Sequence, residues 1–357
     1  MAMALIIGHL VSFVQPGIWG ITPYILEFPA YFGGRFTVPE DNPMSQEGVE
    51  LGRKLFYEEK LSKGNKISCA SCHQQQLAFT DGKAFSEGVD GSLTKRSSMS
   101  LANLLWVRNF FWDGRASALE DQAIFPLTDP HEMGQELDIS VQKLEKDPGY
   151  GVHFEKAFGT PEISGDRIVR ALSQFERALI SSNSPYDHFL KGEYALTDLE
   201  SLGLELFMTV PAPLKGIRGA NCGHCHGTPK MYKELYHNNG LDSRIYDIGR
   251  MAFTGSEVDR GRFRVPTLRN IALTAPYMHD GRFASLQEVL DHYSDHVQLS
   301  PGLSPFISEV SNEENGKQLS LSSKEKSAII AFLHTLTDSS FILNPKFSDP
   351  NITSQTP

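Results

Sequence analysis

Apolar residues fall at helical spacing in short blocks along this chain, and blocks in the first half have partners in the second. VELGRKLF (49–56) and ESLGLELF (200–207) both carry a glycine about one turn ahead of a Leu-Phe pair. Each follows a helix-start residue, Ser45 or Thr197. MSLANLLWVRNFFWDGRASALE (99–120) parallels PTLRNIALTAPYMHDGRFASLQE (266–288), with Asn103 and Asp113 spaced as Asn270 and Asp280 are. DRIVRALSQFERALI (166–180) and KEKSAIIAFLHTL (324–336) close the two halves as amphipathic helices. Alternating Val/Ile/Thr runs are scarce. Three blocks repeated in one order predict an all-α protein with two tandem domains from an internal duplication.

The domains are expected over 22–195 and 196–340, with a C-terminal tail at 341–357. The boundary falls in SSNSPYDHFLKGEYALT (181–197), which is polar and turn-rich. Residues 127–165 have no counterpart of similar length and read as an inserted excursion. In the second half Ser285 and Glu288 form a capping box ahead of the stripe Leu286, Val289, Leu290, Tyr293 and Val297, with His292 and His296 off its flank. The matching helix of the first half is read as starting with a second capping box, Ser117 and Glu120. That register sets Phe125, next to Pro126, against Tyr293.

Composition narrows the classes. At 357 residues with 40% hydrophobic positions the chain can build more than one core. A net charge of −10 argues against tight nucleic-acid binding. No apolar run approaches the roughly 20 residues of a membrane span. MAMALIIGHLVSFV is apolar without an opening Lys or Arg, so residues 1–21 read as an export-signal remnant or as an N-terminal arm on the domain.

The four cysteines of the chain all lie in CASCH (69–73) and CGHCH (222–226). In Cys-x-x-Cys-His the two sulfurs form thioethers to haem vinyl groups and the histidine ligates the iron. Cys69, Cys72 and His73 would hold one haem c, and Cys222, Cys225 and His226 a second, with His224 as a spacer. Zinc is the weaker reading, since no paired Cys or His completes a tetrahedral site nearby. A redox disulfide would need neither the histidine nor the helical repeat. Covalent haem attachment places the chain outside the cytoplasm, in a periplasm.

The halves differ in what they offer on the other side of each haem. Tyr293 supplies a phenol oxygen, a known kind of haem ligand. Met278 or His279 of YMHDG is the alternative, with Tyr293 then a core residue. The first half offers a phenyl ring and a proline, which ligate nothing. The contrast predicts an open first haem and a closed second one. Near the open site stand Gln122 and Glu132, an amide to steady a bound oxygen and a carboxylate to move a proton. Glu132 in the turn TDPHEMG reads equally as a solvated residue, and His131 is a rival for its role. Trp112, at the position of His279, is a charge relay between the haems or simply core.

FWDGRA, PHEMG, VPTLRNIALTAPYMHDGRFASLQE and the two haem motifs resemble the bacterial di-haem cytochrome c peroxidase family over residues 22 to 340. The resemblance implies two cytochrome c-like domains, hydrogen peroxide reduced at the N-terminal haem, and a C-terminal haem that relays or stores oxidising equivalents. It sets the distal residues at Gln122, Glu132 and Pro126 and the inter-haem tryptophan at Trp112. It also implies a small soluble electron donor, a c-type cytochrome or cupredoxin, and a homodimer. Calcium between the domains would use the carbonyls of Thr274 and Pro276, but Ser97 stands where the family has an asparagine. Two departures matter. No histidine lies between His73 and Trp112 to cap the resting first iron, and Tyr293 replaces the usual methionine. Both are similar to the branch that matures methylamine dehydrogenase, which acts on a protein substrate. A peroxidase is therefore expected, with an oxidase of partner-protein residues as runner-up and a non-enzymatic electron carrier as the third reading.

Overall fold

The computed structural model describes residues 10–13 and 21–351. Apart from Leu10–Phe13 and Ile21, the expected signal remnant lies outside the described residues. Strand β1 (Leu10–Phe13) pairs antiparallel with β2 (Leu26–Pro29). The rest is helix-rich, with one more two-residue pair, β3 (Tyr236–His237) against β4 (Phe263–Arg264), among the described residues. None of the described helices is long and apolar enough to cross a membrane.

The duplication is visible in two helix crossings. In the first half, α1 (Gln46–Phe56) crosses the helix that ends the domain, and the glycine foreseen in its apolar face sets the distance. A Cβ on Gly52 would come within 1.9 Å of the Ala171 carbonyl oxygen. Helix α2 (Leu119–Thr128) follows, then α3 (Gly165–Ala178), which carries Ala171. In the second half α4 (Asp198–Met208) repeats α1. A Cβ on Gly203 would lie 1.9 Å from the Ala328 oxygen, beyond α5 (Leu286–Asp291) on α6 (Ser323–His334). Two backbones can approach this closely only where no side chain intervenes. Ser45 caps α1, and Thr197 with Glu200 forms a capping box on α4. Each crossing is sealed by aromatic packing, Phe56 on Phe175 and Phe207 on Phe332. Two separate apolar cores result.

The segment 181–197, where the boundary is expected, contains the helix Pro185–Leu190. Asp187 in that helix is fully buried against Arg269, and its other carboxylate oxygen accepts from Tyr31 Oη at 2.9 Å. The C-terminal segment doubles back, burying Phe341 and Phe347 in the first core, and Tyr57 Oη donates to the Phe347 carbonyl at 2.7 Å. The capping box of Ser117 and Glu120 does not form. Ala118 is the N-cap of α2, and Glu120 instead accepts from both terminal nitrogens of Arg177 at 2.7–2.8 Å, tying α2 to α3.

This last point moves the register by one residue. Ala118 and Ser285 are equivalent N-caps, and the bridge Phe110–Ala116 is repeated as Tyr277–Phe283. Pro126, not Phe125, therefore matches Tyr293, and the exposed Phe125 matches His292. Beyond α5 the chain widens into a π-helical turn, His292–His296. It buries His292, which the helical stripe had placed on the flank. The excursion 127–165 holds helices Leu137–Glu145 and Pro148–Phe158, which deliver Leu144, Tyr150 and Phe154 to the first core.

Candidate functional site

Each Cys-x-x-Cys-His motif lines a cavity. The first, about 90 Å³, is lined by Cys69, Cys72 and His73 together with Gln122, Pro126 and Glu132. His73 is fixed by its own loop. Ala78 and Phe79 are both left-handed, with φ of 50° and 61°, and turn the Phe79 carbonyl back to accept from His73 Nδ1 at 2.8 Å. With Nδ1 so committed, Nε2 is the free electron pair of a neutral ring, which burial keeps from protonating.

Gln122 and Pro126 lie one turn apart on α2. Glu132 arrives by a different route. Gly88 packs so closely on the turn that a Cβ there would stand 1.9 Å from the His131 oxygen, and Val89 N donates to the Glu132 carbonyl at 2.8 Å. Burial, with Asp129 beside it, raises the Glu132 carboxyl above its ordinary value, and Arg115 opposes this. His131 lines neither cavity. Its ring is 62% exposed and paired with Asp90 at 3.0 Å, so of the two rivals Glu132 alone reaches the cavity.

Sequence reasoning missed one residue here. Glu176 on α3 also lines the first cavity, and its Oε2 has no hydrogen-bond partner. Burial pushes its carboxyl up to about 8, with Arg177 opposing and Glu120 adding to the rise. The matched pairs Ala171/Ala328 and Phe175/Phe332 make Leu333 its equivalent in the second half. A glutamate on the buried stripe of an amphipathic helix was the signal that could have found it.

The second cavity, about 250 Å³, is lined by Cys222, Cys225, His226, Met278 and Tyr293 within a largely apolar wall. His226 repeats the device of His73: Nδ1 donates to the Pro266 carbonyl at 3.2 Å, and burial pushes the ring down to about 4. Tyr293 reaches the cavity from the π-helical turn, its phenol pushed up to about 12 by burial. It accepts from Asn239 Nδ2 at 3.2 Å. Met278, at φ 74°, points into the same space. His279 also touches the cavity, but its ring is stacked on Phe263 at 3.7 Å. His224 packs against Phe306 with ring centroids 3.6 Å apart, which accounts for it without a ligand.

Trp112 lines the second cavity. Its Nε1 donates to the Ser97 carbonyl at 2.9 Å, and its ring meets His279 edge-on at 6.5 Å. Thr274, Pro276 and Ser97 lie on the same wall, with the Ser97 hydroxyl donating to the Met278 carbonyl at 2.9 Å.

These surroundings fit haem c and do not fit zinc. The four thiols are unpaired and line the cavities, beside an imidazole whose cavity-side nitrogen is free. Among the described residues no three His, Cys, Asp or Glu side chains converge as a metal site.

Known proteins share this organisation. The family described as di-haem cytochrome c peroxidase matches residues 46–195. The chain is 35% identical over 302 residues to the methylamine utilization protein MauG of Methylorubrum extorquens, covering 84% of this chain and 80% of that protein. It is 36% identical to a cytochrome c551 peroxidase of Nitrosomonas europaea, covering 83% and 81%. A crystal structure of a MauG-like protein associated with microbial copper homeostasis superposes with a TM-score of 0.80 at 37% identity, covering 89% of this chain and 97% of that one.

Proposed function

The chain belongs to the di-haem cytochrome c peroxidase family, and on that premise we propose that it reduces hydrogen peroxide at the first cavity while the second stores or relays the oxidising equivalents. Domains 22–195 and 196–340 would each take one haem c, through Cys69, Cys72 and His73 and through Cys222, Cys225 and His226. Relatives named cytochrome c peroxidase align over most of the chain, so the enzyme class is an oxidoreductase acting on peroxide. The observation that carries the reading is the asymmetry of the linings: Pro126, Gln122 and Glu132 in one, Tyr293 and Met278 in the other.

When bound, haem c would supply the redox chemistry. Pro126 has no atom to offer a metal and leaves the first site open. Glu132, its carboxyl raised by burial, exchanges a proton with peroxide oxygen, and the Gln122 amide holds that oxygen by a hydrogen bond. Tyr293 would help to hold the second haem, with Met278 as its competitor, and Trp112 would couple the two sites. The test is anaerobic absorption spectroscopy of the diferric protein with one equivalent of peroxide. A high-spin component that peroxide consumes supports the proposal. Two saturated low-spin haems indifferent to peroxide would restore the electron carrier.

A second reading is favoured by Tyr293 and by the absence of any histidine from 74 to 111: oxidation of residues on a partner protein. A relative is named for methylamine utilization, and a small cytochrome or cupredoxin would then be a poor donor. Steady peroxide turnover with a reduced small cytochrome supports the peroxidase. Failure of that turnover with a persistent oxidised state supports the protein oxidase. Either activity belongs in the periplasm, where haem c is attached, and a homodimer is compatible with both. Calcium would find two carbonyls, Thr274 and Pro276, against the six to eight oxygens it takes. The Ser97 hydroxyl is already committed to Met278.

A further inference from the structure

The thioether of Met278 and the phenol of Tyr293 share one cavity, and a single carboxamide joins them. Asn239 Nδ2 donates to Tyr293 Oη at 3.2 Å and to Met278 Sδ at 3.4 Å. Both hydrogens of that amide are thus spent on rival ligand atoms.

The backbone that carries this carboxamide is held by three sets of contacts. The Asn239 main-chain carbonyl accepts from His292 Nε2 at 3.0 Å, fastening residue 239 to the turn that carries Tyr293. Asn238, buried, donates to Ser300 Oγ at 2.9 Å and to the Pro301 carbonyl at 3.2 Å. Gly240 N returns to Asn238 Oδ1 at 2.9 Å. Met278 has a left-handed backbone, φ 74°, which sets the direction of its Cα–Cβ bond.

We infer that Asn239 is a positioning residue that selects the phenol oxygen over the thioether sulfur as the group presented to the second haem. An N–H on the sulfur holds the thioether turned toward residue 239. An N–H on the phenol oxygen leaves a lone pair for a metal and favours the negative charge of a ligating phenolate. The inference rests on the proposed ligation by Tyr293 and adds what decides it.

The experiment uses the purified di-haem protein. Asn239→Leu keeps the side chain's approximate size and removes both donors. The expected result is thioether ligation in the ferric spectrum of the second haem, with a rise in its midpoint potential. Adding Met278→Leu should return the spectrum to oxygen ligation. Asn239→Asp, which keeps the shape but loses the donors, gives the same reading if the leucine variant fails to take up haem. Variants that stay wholly oxygen-ligated overturn the inference. Tyr293→Phe separates the two claims. If it leaves the parent spectrum unchanged, ligation by Tyr293 fails and the inference with it. If it alters the spectrum while the Asn239 variants do not, only the inference fails.

Discussion

Pro126 and Tyr293 occupy the same position in the two repeats, each reached from an equivalent N-cap, Ala118 or Ser285, and each lining its own cavity. On the proposed reading, this one position would decide whether an iron keeps an open face. Pro126→Tyr should convert the first haem from high-spin to low-spin and slow its reaction with peroxide by at least tenfold. Electron paramagnetic resonance of the ferric protein, with stopped-flow mixing, checks both. An unchanged high-spin signal with parent reactivity would separate this position from ligation.

Glu132 is brought to the first cavity by the Gly88 contact rather than by α2, so its removal should leave the resting site intact. General acid–base groups contribute about 10²–10⁴-fold. Glu132→Gln should slow the peroxide reaction by that order without altering the resting spectrum. Loss of rate together with a changed resting spectrum would indicate that Glu132 holds the site together instead.

Much of this was legible in the chain, and the misses share a cause. Gly52 and Gly203, the caps Ser45 and Thr197, and the haem motifs depend on local spacing, which sequence carries directly. The offset between Phe125 and Pro126 arose because Ser117 and Glu120 match a capping box in isolation. The structure shows that Glu120 is claimed by Arg177, distant in sequence and adjacent in space. The inward turn of His292 depends on a π-helical widening that no 3.6-residue period contains. The burial of Asp187 could not be read from its polar segment, because its partner Arg269 lies in the other half. The cavity contents followed the same rule. Gln122, Pro126 and Glu132 were all named from the sequence, while the choice of Glu132 over His131 needed the loop contact at Gly88 and Glu176 needed the crossing of α1 and α3.

The Asp187–Arg269 pair, with both side chains fully buried, joins the helix 185–190 to the second half of the chain. Removing one partner of a buried pair costs about 3–5 kcal/mol, because the other charge is left uncompensated. Arg269→Met should lower the urea midpoint accordingly, and Asp187→Leu added to it should recover a substantial part. Burial would raise the Asp187 carboxyl, yet Arg269 and Ser184 outweigh it and hold it below its ordinary value. Its contribution is therefore present above the unfolded-state value and lost as pH falls through the depressed native one. Titration of the urea midpoint below pH 4 should show a steeper acid loss in the parent than in the double variant.

Glu176 has the opposite sign. Its carboxyl is neutral in the native chain until about pH 8 but ionises near the ordinary carboxylate value once unfolded. Between those values the unfolded chain binds fewer protons than the native one, so stability falls as pH rises and levels off above about 8. The second repeat puts Leu333 at this place, and an apolar side chain carries no such dependence. Glu176→Leu should flatten the stability curve of the haem-loaded protein between pH 5 and 8 and raise it most at the alkaline end. Denaturant unfolding of parent and variant across that range checks it, and parallel curves would mean that Glu176 is ionised and partnered in the native protein. Because the carboxyl lines the first cavity, the same substitution should also remove any step near pH 8 from the first haem's absorption, a spectral readout that a change in packing alone would not move.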